Sequence, residues 1–505
     1  MTIIGEHNLA LLAEQSHARL GDYDQLFFEG TWHTSTSIHE RAARVAEGLR
    51  GIGIEPGDRV VVLMMNTPEV FVSYRAIWRA GAVVTPVIFL QTPPELRHIL
   101  EDSGATAAIL TPELLPLFTA ASDGLDITAI VVDGDGTGGA TPYATLEEAA
   151  PGEIVPRGDD DLAALLYTGG TTGRAKGVML SHRGLWESGR GIDAVSRSLG
   201  TTRTLLPLPL SHAYGLIVAI GGLHAERRQQ SVLQRWFDAA GWLRLVQEHR
   251  IETSPMVPAM LGMLLDQPRD GYDLSSLRTF GSGGAALPVP LLEEVERTFG
   301  VIVTEGYGCT ESSAIVTVST LTERRPGSVG KPAAHVELSI QAPDGSVLAP
   351  GEEGEICVRG PGVMLGYWHD PELTAATLRD GWLHTGDIGR VDEDGFLFVV
   401  DRIKDLIIRG GFNVYPRDVE DVLMEHPAVA AVACVGRPDA VSGEEVVAVV
   451  QLHPGASVTP EELVEHARSR MAKYKYPREV VVVDAVPLTS VGKINRKAVR
   501  ELVRG

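Results

Sequence analysis

Apolar and polar positions follow two periods along the first 150 residues. The stretch SIHERAARVAEGLRGIG, from Ser37, repeats apolar residues at the spacing of one helix face. DRVVVLMMN, from Asp58, is a continuous apolar run, which is typical of a strand buried on both faces. PEVFVSYRAIWRAGAVVTPV then predicts a helix and a strand, and ATAAILTPEL and ITAIVVDG predict further strands. Because helices and strands alternate, the pattern predicts an α/β architecture with largely parallel sheets.

The pattern changes after residue 330. VELSIQAPDGSVLAPGEEGEICVRGPGVMLGYW combines short strands with DG and PG turn signals, so we expect a small antiparallel, barrel-like subdomain there. DEDGFLFVVDRIKDLIIRGGFNVYP predicts one more hairpin around residue 400. The last hundred residues predict a compact α+β unit, whose helix TPEELVEHARSRM begins with Thr459, Pro460 and two acids.

Length and charge predict two domains. A chain of 505 residues exceeds the size of roughly 250–300 residues at which one core stops growing. The chain carries 44 basic and 66 acidic residues, a net charge of −22, which argues against a nucleic-acid binder that works through bulk charge. Residues 402–505 carry 15 basic and 14 acidic residues, so the acidic excess lies before them. We therefore expect an N-terminal domain at 1–401 and a C-terminal domain at 402–505, the latter better suited to a multiply charged anion.

Cysteine use and the N-terminus predict a cytoplasmic protein. Cys309, Cys357 and Cys434 are widely spaced and form no C-x-x-C motif, as expected in a reducing compartment. The first residues, MTIIGEHNLALLAEQ, lack the pattern of a signal peptide. Residues 204–225 are uncharged, but their prolines, histidines and glycines predict a buried strand, loop and helix and not a membrane span.

The stretch YTGGTTGRAKG, Tyr167 to Gly177, has the composition of a phosphate-binding loop. Glycines let backbone amides approach an anion closely, threonine hydroxyls donate hydrogen bonds, and lysine adds a charge. It is not a Walker loop, because Gly173 is followed by Arg174 and Lys176 is followed by Gly177. Judged by its residues alone, the stretch is equally compatible with a phosphate-binding loop and with a flexible surface turn.

Four further stretches contain candidate polar groups, and each also has a plain structural interpretation. GSGGAA, from Gly281, partly matches a dinucleotide-binding turn, although such turns are common. YGCTESS, from Tyr307, fits an adenine and a hydrated magnesium ion, or an ordinary helix cap. His212 in PLPLSHAYGL is either functional or a satisfied core histidine. Asp387 is either an acceptor for a ribose diol or a structural residue of a turn. Lys493 is either a functional cation or an ordinary solvated lysine.

The order of these stretches carries more information than any one of them. YTGGTTGRAKG, SHAYG, GGAAL, GYGCTES, GEICVRGPGVMLGYW, WLHTGDIG, DRIKDLIIRGGFNVYP, YKYP and TSVGKINR together resemble the adenylate-forming superfamily over essentially the whole chain. The acyl-CoA synthetase branch fits best. The family commonly has Ser or Thr where Gly169 stands and Pro where Ala175 stands, so this loop departs from the pattern at two positions.

The resemblance assigns roles to residues of this chain. It implies a catalytic set of Lys493, His212, Glu311 and Thr310, with Thr168 and Glu311 as the magnesium positions. It implies that ATP phosphates contact a glycine-rich loop formed by Thr168, Gly169, Gly170, Thr171, Thr172, Gly173 and Lys176. It implies adenine and ribose contacts from Gly284, Ala285, Glu305, Gly306, Tyr307, Asp387 and Arg402. It places a hinge at Lys404 and the pantetheine-lining loop of coenzyme A at Gly410 and Gly411.

The resemblance also implies a two-step reaction. A carboxylic acid and MgATP give an acyl-adenylate and pyrophosphate, and a thiol then releases AMP, while the small mobile C-terminal domain rotates between the steps. Coenzyme A is the expected thiol. A carrier-protein phosphopantetheine is the alternative acceptor, and a catalytically weak adenylate-binding homologue is the non-enzymatic alternative. A fatty or an aryl acid is compatible with the sequence, and a homodimer is retained as one form of assembly.

Overall fold

The computed structural model describes residues 4–134, 136–169, 174–439, 441–489 and 493–504. Its strands, numbered along the chain, begin with β1 (Asp24–Phe28), β2 (Thr31–Thr34), β3 (Arg59–Leu63), β4 (Val83–Pro86), β5 (Ala107–Leu110), β6 (Thr128–Val131), β7 (Thr141–Pro142), β8 (Leu162–Gly169) and β9 (Ala175–Ser181). They continue with β10 (Arg203–Leu206), β11 (Gln230–Leu233), β12 (Thr253–Met256), β13 (Thr279–Ser282), β14 (Ile302–Tyr307), β15 (Thr317–Val318), β16 (Lys331–Pro332), β17 (Glu337–Gln341) and β18 (Gly354–Arg359). The last are β19 (Gly366–Tyr367), β20 (Leu378–Arg379), β21 (Trp382–Val391), β22 (Leu397–Arg402), β23 (Ile407–Arg409), β24 (Phe412–Val414), β25 (Val429–Asp439), β26 (Gly443–Leu452) and β27 (Glu479–Val483).

The helices lie mainly between these strands. Those before residue 200 are α1 (Leu9–Leu20), α2 (Ser35–Gly51), α3 (Pro68–Arg79), α4 (Pro93–Ser103), α5 (Leu115–Ser122), α6 (Tyr143–Leu146) and α7 (His182–Leu199). Those after residue 200 are α8 (Ala213–His224), α9 (Ala239–His249), α10 (Pro258–Leu265), α11 (Val289–Phe299), α12 (Pro371–Thr377), α13 (Pro416–Met424), α14 (Pro460–Arg468) and α15 (Arg496–Leu502).

Two large sheets form most of the molecule. One has the strand order β19-β9-β8-β4-β3-β5-β6-β7, and the other has the order β16-β15-β14-β13-β12-β10-β11-β1-β2. Their central strands pair in parallel, and antiparallel pairs stand at the edges. The side chains of β3 from Val60 to Leu63 are at most 1% exposed, because helices cover both faces of the sheet. The predicted α/β core is confirmed.

Two smaller sheets follow. The first is antiparallel, with the order β17-β18-β21-β20 and β22 on the free side of β21. The second lies wholly within residues 407–483, with the order β24-β23-β26-β25 and β27 beside β26. The predicted barrel-like subdomain and the α+β unit near the C-terminus are therefore both present. The stretch around residue 400 differs from the prediction, because β21–β22 and β23–β24 form two hairpins and residue 400 lies inside β22.

Helix starts follow local chemistry. Thr459 accepts a hydrogen bond from the Glu462 amide, and the Glu462 carboxylate accepts one from the Thr459 amide. Helix α14 therefore begins where the sequence predicted, and the structure adds that this start is a capping box. Residues 204–225 contain β10, a loop and α8, which confirms the prediction for that uncharged stretch. Among the described helices, none combines the length and the apolar character that crossing a bilayer requires.

Candidate active site

The glycine-rich stretch lies at the end of the β8–β9 hairpin. Thr168 stands opposite Lys176, and Gly169 stands opposite Ala175. The Lys176 ammonium lies 5.8 Å from the centre of the Tyr367 ring, a distance at which a cation is attracted to an aromatic face. The predicted contacts Gly170, Thr171, Thr172 and Gly173 lie outside the described residues. The flanking residues thus place a hydroxyl and an ammonium group side by side at this sheet edge.

Glu311 lies on the other side of the same tyrosine. It belongs to a 3₁₀ turn, Thr310–Ser312, and its Oε1 accepts a hydrogen bond of 2.9 Å from the Tyr367 hydroxyl. Tyr367 pairs with Val178 across the β9–β19 ladder, so the fold holds Glu311 near the hairpin that carries Thr168. Among the described residues no donor contacts Glu311 Oε2. A free carboxylate oxygen and a threonine hydroxyl are oxygen donors of the kind that Mg²⁺ accepts, so the chemistry of Glu311 and Thr168 fits such an ion.

The carboxyl ends of β13 and β14 form the second part of the site. Gly281 stands opposite Thr304 and Ser282 opposite Glu305. A Cβ on Gly283 would lie 3.3 Å from the Tyr214 ring, and one on Gly306 would lie 3.3 Å from a backbone carbonyl, so side chains there would narrow the cleft. Helix α11 begins only at Val289, so GSGGAA is not the helix-opening turn of a dinucleotide-binding unit. Ala285 is exposed at the rim.

Glu305 is buried beside this glycine turn. Only 8% of it is exposed, and burial raises the pKa of its carboxyl to about 7, while Arg417 and Arg324 oppose the rise. Its backbone amide donates a 2.6 Å hydrogen bond to Ser319. A carboxyl with such a pKa can accept or donate a hydrogen bond near neutral pH, as a group facing a nucleotide base would need to do.

Tyr307, Asp387 and Arg402 form a connected group. The Tyr307 hydroxyl donates a 2.6 Å hydrogen bond to Asp387 Oδ2, and Arg402 Nε lies 3.1 Å from Asp387 Oδ1. The β21–β22 ladder sets this geometry, because Asp387 and Arg402 are directly paired across it. Burial, and then the charge of Asp387, raise the pKa of Tyr307, so the ring stays protonated. The sequence named all three residues, and the structure places them together.

Lys493 reaches the site from the C-terminal part of the chain. Its backbone exchanges two hydrogen bonds with Thr489, at 2.6 and 3.2 Å, and its Cε lies 3.8 Å from the position of a Cβ built on Gly284. Burial and then the charge of Arg402 lower the pKa of the Lys493 ammonium, while Asp387 and Glu311 oppose that shift. The lysine therefore faces both the glycine turn and the acidic groups.

His212 caps the N-terminus of α8 at the same place. Its Nδ1 accepts a hydrogen bond of 3.2 Å from the Tyr214 amide, which leaves the Nε2 position to carry the proton of the neutral ring. Burial, reinforced by the charge of Lys493, lowers the pKa of His212 to about 3. His212 is therefore a neutral hydrogen-bond donor at neutral pH and not a cation.

One cavity of about 710 Å³, part of it open to solvent, is lined by the glycine turn after β13 together with His212, Glu305 and Lys493. Among the residues that line it are six of those predicted from the sequence, namely His212, Gly284, Glu305, Gly306, Thr310 and Lys493. The other predicted residues among those described do not line it, and these include Lys404, Gly410 and Gly411. Lys404 is exposed in a 3₁₀ turn, and Gly410 and Gly411 form the turn between β23 and β24 with positive φ angles of 58° and 83°. Nothing lies within 4 Å of a Cβ built on either glycine.

Two site residues were missed by the sequence interpretation. Tyr367 contacts Glu311 and Lys176, and Tyr214 lines the cavity and donates a 3.3 Å hydrogen bond to the Gly281 carbonyl. Both stand within quoted motifs, GVMLGYW and SHAYG. A tyrosine inside a motif was the available signal, but its partners lie more than fifty residues away in the sequence.

The chain matches two family descriptions. The AMP-binding enzyme family matches residues 13–368, and its C-terminal domain matches residues 418–493. The chain belongs to the AMP-binding enzyme family. This AMP-binding enzyme is 36% identical to a long-chain-fatty-acid–CoA ligase of Bacillus subtilis, over 98% of this chain and 94% of the relative. It is 39% identical to a feruloyl-CoA synthase of an Amycolatopsis species, over 93% of this chain and 94% of the relative.

Solved structures agree with this membership. The anthranilate CoA ligase AuaEII in complex with anthranoyl-AMP is 28% identical and superposes with a TM-score of 0.91, covering 98% of this AMP-binding enzyme and 97% of that chain. The fold, the family and the class of AMP-forming acid–thiol ligase predicted from the sequence are confirmed. The roles of individual residues and the domain boundaries stay predictions.

Proposed function

We propose that this AMP-binding enzyme is an ATP-dependent acyl-CoA synthetase in which Lys493 serves the adenylation step. The observation that carries the proposal is that Lys493, from the C-terminal part of the chain, lines one cavity with His212 and Glu305. Catalysis of phosphoryl chemistry rests mainly on positioned charge. A buried ammonium at this point stabilises the charge that develops when a carboxylate oxygen attacks the α-phosphorus and the bond to pyrophosphate breaks.

The other groups orient the nucleotide. The carboxylate of Asp387, held by Tyr307 and Arg402, offers acceptor oxygens to a ribose diol. Glu305 and the open space at Gly284 and Gly306 frame the base, and Lys176, which stands opposite Thr168, contacts the phosphates. Thr168 and Glu311 would hold Mg²⁺, which would neutralise phosphate charge when bound. Neutral His212 donates from Nε2 toward the acyl end of the cavity.

The thioester step needs a second orientation of the C-terminal part. In that step the thiol sulfur attacks the acyl carbon, the bond to AMP breaks, and the thiol proton passes to solvent. We place the domains at 1–401 and 402–505, because β22 completes the third sheet at Arg402 and the fourth sheet starts at Ile407. Rotation about Lys404 takes Lys493 out and brings the exposed turn at Gly410 and Gly411 to the site, where it lines the path of coenzyme A.

The acid is a fatty or an aryl carboxylic acid. Relatives with more than 35% identity include a long-chain-fatty-acid–CoA ligase and a feruloyl-CoA synthase, one named for a fatty acid and one for an aryl acid. The proposal includes a cytoplasmic location, in keeping with three free cysteines. Assembly as a homodimer stays a prediction.

The test follows both products in one reaction. The chain is incubated with ATP, Mg²⁺, coenzyme A and a panel of fatty and aryl acids, and pyrophosphate and acyl-CoA are measured together. We expect equal amounts of both for at least one acid. Pyrophosphate with thioester on a carrier-protein phosphopantetheine, but not on coenzyme A, would identify a carrier-loading enzyme. Adenylate binding without pyrophosphate release would identify a non-catalytic homologue.

A further inference from the structure

A second cavity continues from the active site into the N-terminal part of the molecule. It encloses about 1030 Å³, part of it open to solvent, and shares Ile192, Val195, Tyr214, Gly281 and Thr304 with the active-site cavity. Helix α8 runs along both cavities, since Ala213 lines the first and Gly222 the second. At 1.5 Å per residue, this wall is roughly 14 Å long. The two cavities therefore form one elongated space with Lys493 at one end.

The far end of this space contains an unpaired arginine. Arg75, in the middle of α3, lines the second cavity. No carboxylate of the described residues lies within 4 Å of it, and its guanidinium makes no hydrogen bond to them. Burial lowers the pKa of Arg75 to about 10, and Tyr23 opposes that shift. His39 also lies close enough for Arg75 to lower its pKa, so the neighbouring titratable groups supply no stable anion.

Other arginines of the same region are satisfied. Arg79, one turn further along α3, pairs with Glu14 and donates hydrogen bonds of 3.2 and 2.7 Å to the Gly152 carbonyl. Arg41 makes two 2.8 Å contacts, to Glu69 and Glu147. The fold therefore has acidic partners for arginines that serve structure. Arg75 is half-buried, and its guanidinium faces the cavity without a partner among the described residues, so its donors are open to an acceptor that a ligand brings.

Other polar side chains line the same cavity as Arg75 and are further candidates for contacts with a ligand. Gln25 lines this cavity, and its buried side-chain oxygen has no hydrogen-bond partner. Ser196 of α7, Gln229, Thr204, Ser231 and Thr253 also line it, together with apolar side chains such as Phe71 and Val218. An amide can turn so that either its oxygen or its nitrogen meets a ligand. The cavity thus combines apolar walls with polar groups, and Arg75 supplies a positive charge to its lining.

We propose that this far end recognises an acid that carries a second hydrogen-bond acceptor remote from its reacting carboxylate. A guanidinium donates only, and its planar fork matches a carboxylate or another electron-rich oxygen. The substrate class is therefore an ω-carboxylated or ring-hydroxylated acid and not an acid with a plain alkyl or aryl end. A plain end would leave the buried Gln25 oxygen and the half-buried Arg75 guanidinium without partners, and sites of this kind reject such analogues strongly. This inference rests on the proposed function.

The experiment uses matched pairs of acids. Pyrophosphate release is measured for suberic against octanoic acid and for 4-hydroxycinnamic against cinnamic acid. We expect kcat/KM to be at least about tenfold higher for the acceptor-bearing member of one pair. Preference for suberic acid identifies a second carboxylate as the recognised group, and preference for 4-hydroxycinnamic acid identifies a ring hydroxyl. Equal rates within both pairs, or faster reaction of the plain members, overturn the inference.

Arg75→Met tests whether this residue sets the preference. Replacing a half-buried unpaired cation by an apolar side chain of similar length is not expected to unfold the protein. The preference ratio should fall about tenfold or more in Arg75→Met, with the plain acids gaining, and should stay as in the wild type in Arg297→Met, a surface arginine of α11. An unchanged ratio in Arg75→Met overturns the inference.

Binding separates this inference from the proposed function. Calorimetry with the same acids, without ATP, reports recognition even where no pyrophosphate forms. Tighter binding of suberic or 4-hydroxycinnamic acid than of its plain partner, lost in Arg75→Met, supports the inference even if the ligase activity is absent. Pyrophosphate release from acids that bind independently of Arg75 supports the proposed function and overturns the inference.

Discussion

Lys493 and Arg75 are cations at opposite ends of one elongated space, and they are held in different ways. Lys493 stands at the end of a loop next to Thr489, and the charges of Asp387 and Glu311 act on it. Arg75 stands in the middle of α3, with no carboxylate of the described residues within 4 Å. The first cation belongs to a segment that the proposed mechanism moves, and the second to a helix inside the core. The comparison teaches that the adenylation chemistry, which the family shares, and the choice of acid depend on separate parts of the chain.

Loss of Lys493 should have the largest effect. Removing one positioned charge-stabilising group lowers rates by roughly 10²–10³. Lys493→Ala should reduce acyl-adenylate formation by that amount, while thioester formation from supplied acyl-adenylate suffers far less. Rapid-quench measurement of each half-reaction checks this, and Lys497→Ala, an exposed lysine four residues further on, is the control. Equal damage to both half-reactions would contradict the role given to Lys493.

A variant at the proposed hinge tests whether the segment that carries Lys493 changes orientation during the reaction while the helix that carries Arg75 does not. Lys404 lies in a 3₁₀ turn, and proline fixes φ and also restricts Ile403. Lys404→Pro should release pyrophosphate once per active site, retain acyl-adenylate and form little thioester. A single-turnover assay for pyrophosphate and acyl-CoA measures this. Thioester formation at the wild-type rate would show that the hinge lies elsewhere or that both steps use one orientation.

Glu305 gives a pH-dependent test of the nucleotide end. Burial raises its pKa from 4.5 to about 7, so the folded state holds a proton that the unfolded state releases, and stability falls as pH rises from about 4.5 to 7. Glu305→Gln should therefore be more stable than the wild type at about pH 8, by roughly 2–3 kcal/mol, with little gain below about pH 4.5. Urea unfolding at both pH values, with exposed Glu294→Gln as control, measures the effect. A gain that does not depend on pH would show that Glu305 is ionised in the folded state.

A larger side chain on α8 should shorten the part of the cavity that leads toward Arg75. No atom lies within 4 Å of a Cβ built on Gly222, which lines the second cavity. Gly222→Leu should lower kcat/KM for long acids by about tenfold while sparing short ones, because the side chain occupies acyl space. Gly262→Leu, at a helical glycine of α10 that lines neither cavity and has equally open surroundings, is the matched control. Equal loss for all chain lengths would show that acids do not extend along α8.

The smallest effect is expected at Gly169. The resemblance places a hydroxyl side chain there, and a neutral hydrogen bond contributes roughly 0.5–1.5 kcal/mol. Gly169→Ser should lower the apparent KM for ATP several-fold without changing the preference between acids. Steady-state kinetics with ATP varied at saturating acid checks both quantities. A shift in acid preference would show that the nucleotide end and the Arg75 end are not independent.

Most of the nucleotide end could be predicted from the sequence. Lys493, Asp387, Arg402, Glu311 and Tyr307 stand in short motifs at the ends of strands or in turns, where a local string of residues is enough to identify them. The alternation of periods predicted the parallel sheets, because a strand covered on both faces must be apolar throughout. Short sequence motifs did not predict how strands pair. They did not predict the β21–β22 register that sets Asp387 beside Arg402, nor that the region around residue 400 forms two hairpins and not one.

The sequence by itself determined the family, the layered α/β fold and the chemistry at the Lys493 end, because each is written in contiguous residues with a fixed period or spacing. Only the tertiary structure decided that Arg75 lines the same space. Arg75, Gln25 and Ser196 lie on three elements, far apart in the chain and without a shared motif. Whether an arginine is paired, buried or directed into a cavity depends on how α3, α7 and α8 pack, and packing is a property of distant contacts and not of local pattern.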